Sequence, residues 1–307
     1  MSLLMENYSS RAPKHTAKKR SRKLHRLIPL LLALAGIIVL LYPVVATIQK
    51  NYSQSSGARV YSEQMISEVS AEERAAELAE AHQWNTDNQG QPVLDPWLAR
   101  ITEDNEEYRG YIKQLDLNDV MARIIIPAIN SDLPIYHGTT EEVLGKGVGH
   151  LFGTSLPVGG DNAHAVLTGH TGLSGATLWD NLTKVKEGDP VYIEVAGEKL
   201  KYEVNQIRVV LPDETSSLVP ELGKDQITLI TCTPYGVNSH RLLLTAQRVP
   251  MDPADEAVFN ATHQPWQWWM TAVLVVVGFV LILFIIAIIR RIKKSKNNKV
   301  NVSGGVQ

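Results

Sequence analysis

The chain has 307 residues, 44% of them hydrophobic, with 30 basic and 32 acidic side chains and a formal net charge of -2. Beside two long apolar runs, that length leaves room for one folded domain of about 150–200 residues. The near-neutral balance conceals a division: Arg11, Lys14, Lys18, Lys19, Arg20, Arg22, Lys23 and Arg26 crowd one end, Arg290, Arg291, Lys293, Lys294, Lys296 and Lys299 the other, and the middle is acidic. The two basic segments abut apolar runs and carry no interleaved aromatics, which marks them as topology signals and excludes a nucleic-acid partner.

Residues 1–26 read as a cytoplasmic basic tail, and 27–48 as a transmembrane helix. Leu27 to Ile48 holds no charge over 22 residues, a helix of roughly 33 Å at 1.5 Å per residue, enough to cross the hydrocarbon core. A cleaved signal peptide is the other reading, and the length of the run counts against it. Pro29 falls in the first turn, where a missing amide costs little, and Pro43 is expected to kink or end the helix. Residues 49–119 are assigned to a linker and N-terminal helices. Within them Asn51 to Arg59 is polar and Ser-rich, as a linker would be. Ser70 and Glu73 fit a capping box at the head of a helix through Ala71 to His82.

From Met121 the texture changes to short β-branched runs separated by Gly, Pro, Asn and Asp. Strands are predicted at Ala122 to Ile126, Leu133 to Tyr136, Ala163 to Thr168, Pro190 to Val195, Leu200 to Val210, Ile227 to Cys232 and Arg241 to Arg248. So many strands within residues 120–250 predict a mostly β domain, a closed or nearly closed barrel. Residues 251–265 are a linker, and 266–289 form a second transmembrane helix with Trp266, Trp268 and Trp269 as an aromatic belt at its head. Residues 290–307 are a basic tail. Positive charge flanks each span on its terminal side, so both termini are expected in the cytoplasm and the domain outside.

Cys232 is the only cysteine, so it has no disulfide partner within the chain. It ends the strand-like run Ile227-Thr228-Leu229-Ile230-Thr231 and opens the loop Thr233-Pro234-Tyr235-Gly236-Val237-Asn238-Ser239-His240. A strand end opening into a loop is where a rigid scaffold presents a reactive side chain, whereas a free cysteine elsewhere is commonly a buried small hydrophobe. Arg241 opens the next strand, and antiparallel pairing across the loop would set a permanent cation beside the thiol. A cysteine nucleophile needs a histidine partner. Of nine histidines, His137, His150, His164, His170 and His240 lie in the domain. His170 is favoured because it follows the apolar run Ala165-Val166-Leu167 within the glycine-flanked Thr168-Gly169-His170-Thr171-Gly172; His164 and His240 remain open.

Together these motifs resemble the sortases, a family of cysteine transpeptidases. Thr228-Leu229-Ile230-Thr231-Cys232 matches the family's TLxTC signature, Arg241 stands nine residues beyond, and Thr168-Gly169-His170 matches the segment around the family's histidine. The segments Gly153 to Gly160 and Cys232 to Arg241 look like the pilin-polymerising class C, over roughly Asp95 to Val249. Asp95-Pro96-Trp97 matches the lid motif of that class, and the second span is typical of it. Thr171 departs from the class, where arginine often follows the histidine, and this leaves substrate preference open.

The resemblance implies a sortase-like closed β-barrel with short helices, an N-terminal helical and lid segment and two transmembrane helices. It implies Cys232, His170 and Arg241 as catalytic residues and no metal or organic cofactor. The implied partners are the membrane and pilin or surface proteins bearing LPxTG-like sorting signals, cleaved at Thr-Gly through a thioester. The acceptor is a lysine of the next pilin subunit, or a peptidoglycan cross-bridge amine in a housekeeping-type relative. A non-enzymatic two-span surface binding protein is the alternative outside enzymes.

Overall fold

The computed structural model describes residues 18–88 and 105–303. The chain divides into two compact units, one running Val45–Thr271 and the other holding the apolar helical segments on either side of it. Helix α1 covers Lys18–Ser67 and α6 covers Trp268–Ser303. Within them Leu31–Ser67 and Trp268–Arg290 are long and apolar enough to cross a membrane.

α1 continues through Pro43, and one expectation fails along it: Asn51 to Arg59 is helix, not linker. The reason is tertiary. Asn51, Gln54, Ser55 and Ala58 are buried, a spacing of three and four that puts them on one helical face, and Tyr61 and Met65 extend the same buried stripe. The Tyr61 hydroxyl donates to Met121 O (3.1 Å) and accepts from Ala196 N (2.8 Å), which docks α1 on the barrel.

Helix α2 (Ala71–Asp87) starts at the expected capping box, Ser70 and Glu73 each bonding the other's backbone N–H. Arg74 reaches back to the carbonyls of Met65 (2.6 Å) and Val69 (2.7 Å), closing the end of α1. Asn85 fixes α2 to the barrel through two bonds with the Leu156 backbone, at 3.1 and 2.7 Å. Short helices α3 (Glu106–Tyr111), α4 (Glu141–Lys146) and α5 (Glu256–Asn260) complete the helical set with α6.

The strands are β1 (Ala122–Ile126), β2 (Ser131–His137), β3 (Val148–His150), β4 (His164–Thr168), β5 (Pro190–Val195), β6 (Glu198–Val210), β7 (Gln226–Thr233) and β8 (His240–Val249). They close a barrel in the order β1-β2-β3-β4-β7-β8-β6-β5, as expected of the fold. The two pairings β2–β3 and β4–β7 are parallel and the rest antiparallel. Strand β3 is absent from the sequence expectation. It is three residues long with Gly149 at its centre, where a Cβ would lie 2.3 Å from Gly138 O.

The core is filled by side chains of alternate strand positions, among them Ile124, Ile135, Leu167, Ile193, Leu229 and Leu244, with Trp179 fully buried. One wall encloses a charge cluster. Arg123 bonds Asp132 through Nε (2.8 Å) and Nη2 (2.9 Å), Glu194 through Nη1 (3.4 Å), Ser62 (3.1 Å) and the Phe259 carbonyl (3.2 Å). Ser62 donates to Glu194 at 2.7 Å. The cluster ties α1 and α5 to β1, β2 and β5, and all three charged side chains are almost wholly buried.

Candidate active site

The register of β7 and β8 pairs Cys232 directly with Arg241 and Thr233 with His240. The strand ladder itself therefore sets the cation beside the thiol, with the loop Pro234–Ser239 closing the hairpin. Cys232 is 7% exposed and Arg241 8%. Arg241 Nη1 donates to the carbonyls of Asn238 and His240, each at 3.4 Å, which turns the guanidinium toward the hairpin mouth. Beside it lies a small hollow lined by Val210, Leu218, Ile230 and Leu243 together with Glu214 and Thr215.

His170 arrives from the other side of β7. Strands β4 and β7 run parallel with Thr168 opposite Ile230, and the next two residues of each chain lead to His170 and Cys232. Two bonds carry the pairing past the end of β4: Gly169 N to Ile230 O (3.1 Å) and Thr231 Oγ1 to Gly169 O (2.7 Å). The structure thus brings all three sequence-predicted site residues to one end of the barrel, His170 two residues past β4, Cys232 on β7 and Arg241 on β8. Asp95, Pro96 and Trp97, the expected lid, lie outside the described residues.

Of the other domain histidines, only His240 shares this end of the barrel, one residue before Arg241 and opposite Thr233. His164 is at the far end of β4, about 20 Å away along an extended strand, its Nε2 2.7 Å from Thr228 Oγ1. Burial lowers its pKa. His150 stacks on Tyr111, takes the Tyr111 hydroxyl at Nδ1 (2.9 Å), and lies 2.8 Å through Nε2 from Ser155 O. Its pKa is pushed down to about 4 by burial, and His137 in the same aromatic cluster is lowered for the same reason. His240 faces Ser239 at 2.9 Å.

Three local features hold the His170 loop. At Gly169 a Cβ would lie 2.6 Å from the Trp179 ring, so only glycine lets the indole pack there. Trp179 N in turn donates to His170 O at 3.2 Å. Gly172, at φ +80, turns the chain so that its N–H meets Asp180 Oδ1 at 2.6 Å. Thr171 is buried and bonded to the Thr231 hydroxyl.

Sequence reasoning missed two neighbours of this site. Glu141, the first residue of α4, approaches His170 Nε2 with Oε2 at 3.2 Å; it lies 29 residues away in the chain, and no local pattern announces it. Thr231 bonds both Thr171 and Gly169 O, a role its place in the signature run does not disclose. Among the described residues no group of three or more His, Cys, Asp or Glu side chains gathers to hold a metal.

Comparison with known proteins agrees with this geometry. A model of the sortase domain matches residues 124–249. Sortase A of Bacillus anthracis is 31% identical over 135 residues, 44% of this chain and 62% of that protein; the chain thus spans somewhat under two thirds of the length of the curated relatives it matches. Two solved structures are covered almost entirely. Sortase C-1 of Actinomyces oris is 57% identical, with a TM-score of 0.58, covering 59% of this chain and 99% of that one. Sortase C of Streptococcus pneumoniae is 37% identical, with a TM-score of 0.58, covering 62% and 95%. With its barrel, its signature run and these likenesses, the chain belongs to the sortase family.

Proposed function

We propose that the protein is a membrane-anchored class C sortase, a cysteine transpeptidase that joins pilin subunits. The observation that carries this reading is the direct cross-strand pairing of Cys232 with Arg241, with His170 delivered to the same barrel end by the neighbouring parallel strand. The Cys232 thiolate attacks the Thr carbonyl carbon of an LPxTG-like signal, and Arg241 steadies the oxyanion that develops. As the Thr–Gly C–N bond breaks, the His170 imidazolium gives its proton to the leaving glycine amine, leaving a thioester. A lysine amine of the next pilin subunit then attacks the thioester carbonyl. Its proton passes to His170, the thiolate departs, and an isopeptide bond remains.

Support for class C comes from the likeness to sortase C-1 of Actinomyces oris and to the pneumococcal sortase C, whose structure is described in terms of pilin substrate specificity. The same class assignment makes Asp95-Pro96-Trp97 a lid over the site. The basic flanks of the two spans support a topology with both termini in the cytoplasm and residues 51–265 outside; a reporter fused after Gln307 and found outside the cell would refute that arrangement. The function is tested by incubating the full chain in detergent with a sorting-signal peptide and a lysine-bearing pilin, and analysing the products by mass spectrometry. A Cys232 thioester followed by an isopeptide-linked product is expected. Transfer to peptidoglycan cross-bridge amine alone would move the protein to the anchoring class, and absence of both products would leave a binding protein.

A further inference from the structure

The polar stripe of α1 that replaces the expected linker grips the loops around His170. Asn51 Oδ1 accepts from Thr177 N (2.9 Å), and Asn51 Nδ2 donates to Thr177 Oγ1 (2.8 Å) and more weakly to Pro265 O (3.5 Å). One turn on, Gln54 Nε2 donates to Lys146 O at 3.1 Å, at the end of the helix whose first residue, Glu141, faces His170. Ser55 takes a bond from Gln264 at 3.1 Å. From the other side, Gln267 Nε2 donates to Asp180 Oδ2, whose second oxygen holds Gly172 N, and Asn181 Nδ2 donates to Trp266 O at 3.4 Å.

Asn51, Gln54, Ser55, Thr177 and Gln267 are all buried. Polar side chains are unfavourable inside a helix interface unless each finds a partner in a fixed geometry. Apolar residues on the same stripe would dock α1 as firmly and would leave the loop free to slide. The bonds instead fasten Thr177 and Asp180, which flank Trp179, and Trp179 is the residue that holds the His170 carbonyl and packs on Gly169.

We infer that the membrane-proximal collar, Asn51 from α1 and Gln267 at the head of α6, is a positioning element for His170. It sets the imidazole against Cys232 by fixing residues 171–181, so the lead-in to the second span is a working part of the site as well as an anchor. The inference rests on the sortase reaction proposed above for its kinetic consequence, and on the bonds alone for its structural one.

The test uses the full chain in detergent, comparing wild type with Asn51→Ala, Gln267→Ala, Thr177→Val and Thr177→Ser. Amide exchange is read by mass spectrometry across residues 171–181 and across β5 and β6, together with kcat and KM for a sorting peptide. Asn51→Ala and Gln267→Ala are expected to speed exchange in residues 171–181 by about tenfold and lower kcat about tenfold with KM within about twofold. Thr177→Ser, which keeps the hydroxyl, should stay near wild type, and Thr177→Val should fall between. Exchange in residues 171–181 unchanged, or raised with kcat intact, overturns the inference. So does a uniform rise that includes β5 and β6, which would mark the collar as a tether for the whole domain. If wild type leaves the peptide uncut, the sorting reaction fails as a proposal, and exchange in residues 171–181 alone then decides whether the collar fixes the loop.

Discussion

Replacing Arg123 by methionine removes a guanidinium that is 2% exposed and bonds two carboxylates at 1% and 4% exposure. Methionine keeps most of the volume, so cavity formation contributes little, and the loss arises from Asp132 and Glu194 left in the barrel wall without a counter-charge. Breaking a buried pair in this way costs about 3–5 kcal/mol. The bonds to Ser62 and the Phe259 carbonyl also go, so α1 and α5 lose a shared attachment. For a unit the size of Val45–Thr271, each kcal/mol moves the melting temperature by about 2–4 °C, and a fall of roughly 6–20 °C is expected. Circular dichroism of the detergent-solubilised chain measures it. Replacing the partners as well, in Arg123→Met with Asp132→Leu and Glu194→Gln, removes both orphan charges and should recover more than half of the loss. A single variant that melts within about 2 °C of wild type, or a triple variant no better than the single, would refute the account of the cluster as a satisfied charge network.

Cys232→Ala should abolish thioester and product while shifting the melting temperature by no more than a few degrees, since a strand-end thiol-to-methyl change removes little packed volume. Changes at His170 or Arg241 should leave a folded, nearly inactive domain, whereas His164→Ala should cost stability and keep turnover; the reverse ranking, read from peptide cleavage and thermal melts, would displace His170. His150 is held neutral with its pKa depressed to about 4, below an unfolded value near 6.5, so the unfolded chain binds the extra proton first. Stability is then full above about pH 6.5 and falls toward pH 4, by roughly 3 kcal/mol over the whole interval; His150→Gln should flatten that slope in denaturant titrations at successive pH values. Asp95→Ala combined with Trp97→Ala should speed alkylation of Cys232 and peptide cleavage if these residues gate the site, because apparent affinity scales with the open fraction; unchanged alkylation with a large drop in melting temperature would make them packing residues.

The β-branched runs announced seven of the eight strands because each buries one or both faces of a barrel wall, and burial is what periodicity records. β3 escaped because its selection is by contact: Val148-Gly149-His150 offers no run, and the glycine is there to admit the Gly138 carbonyl. The linker reading of Asn51 to Arg59 failed for a related reason. Composition cannot tell a polar segment that faces water from one whose amides are matched to a particular loop some 126 residues away. Arg123 and Glu194 likewise sit in strands where a charge ordinarily means a solvated face, and only the folded register brings them together. The Cys232–Arg241 pairing was legible because it is local: one hairpin joins the two residues, so sequence spacing and spatial spacing coincide. Glu141 was not, since it reaches His170 from a different element.

That hairpin has a consequence for how such a molecule can diversify. Eight consecutive pairs from Gln226–Gln247 to Thr233–His240 hold β7 and β8 in step, and the register is secured by the strands below Cys232, not by the residues of the turn above it. Residues 234–239 can thus vary while the backbones of Cys232 and Arg241 stay paired, with the Asn238 carbonyl that meets the guanidinium as a contact such changes would touch. Tyr235 and Val237, both well exposed on that turn, are natural positions for such grafting. Selection, or a protein engineer, can rewrite the surface at the mouth of the barrel while the strand ladder beneath it keeps its register.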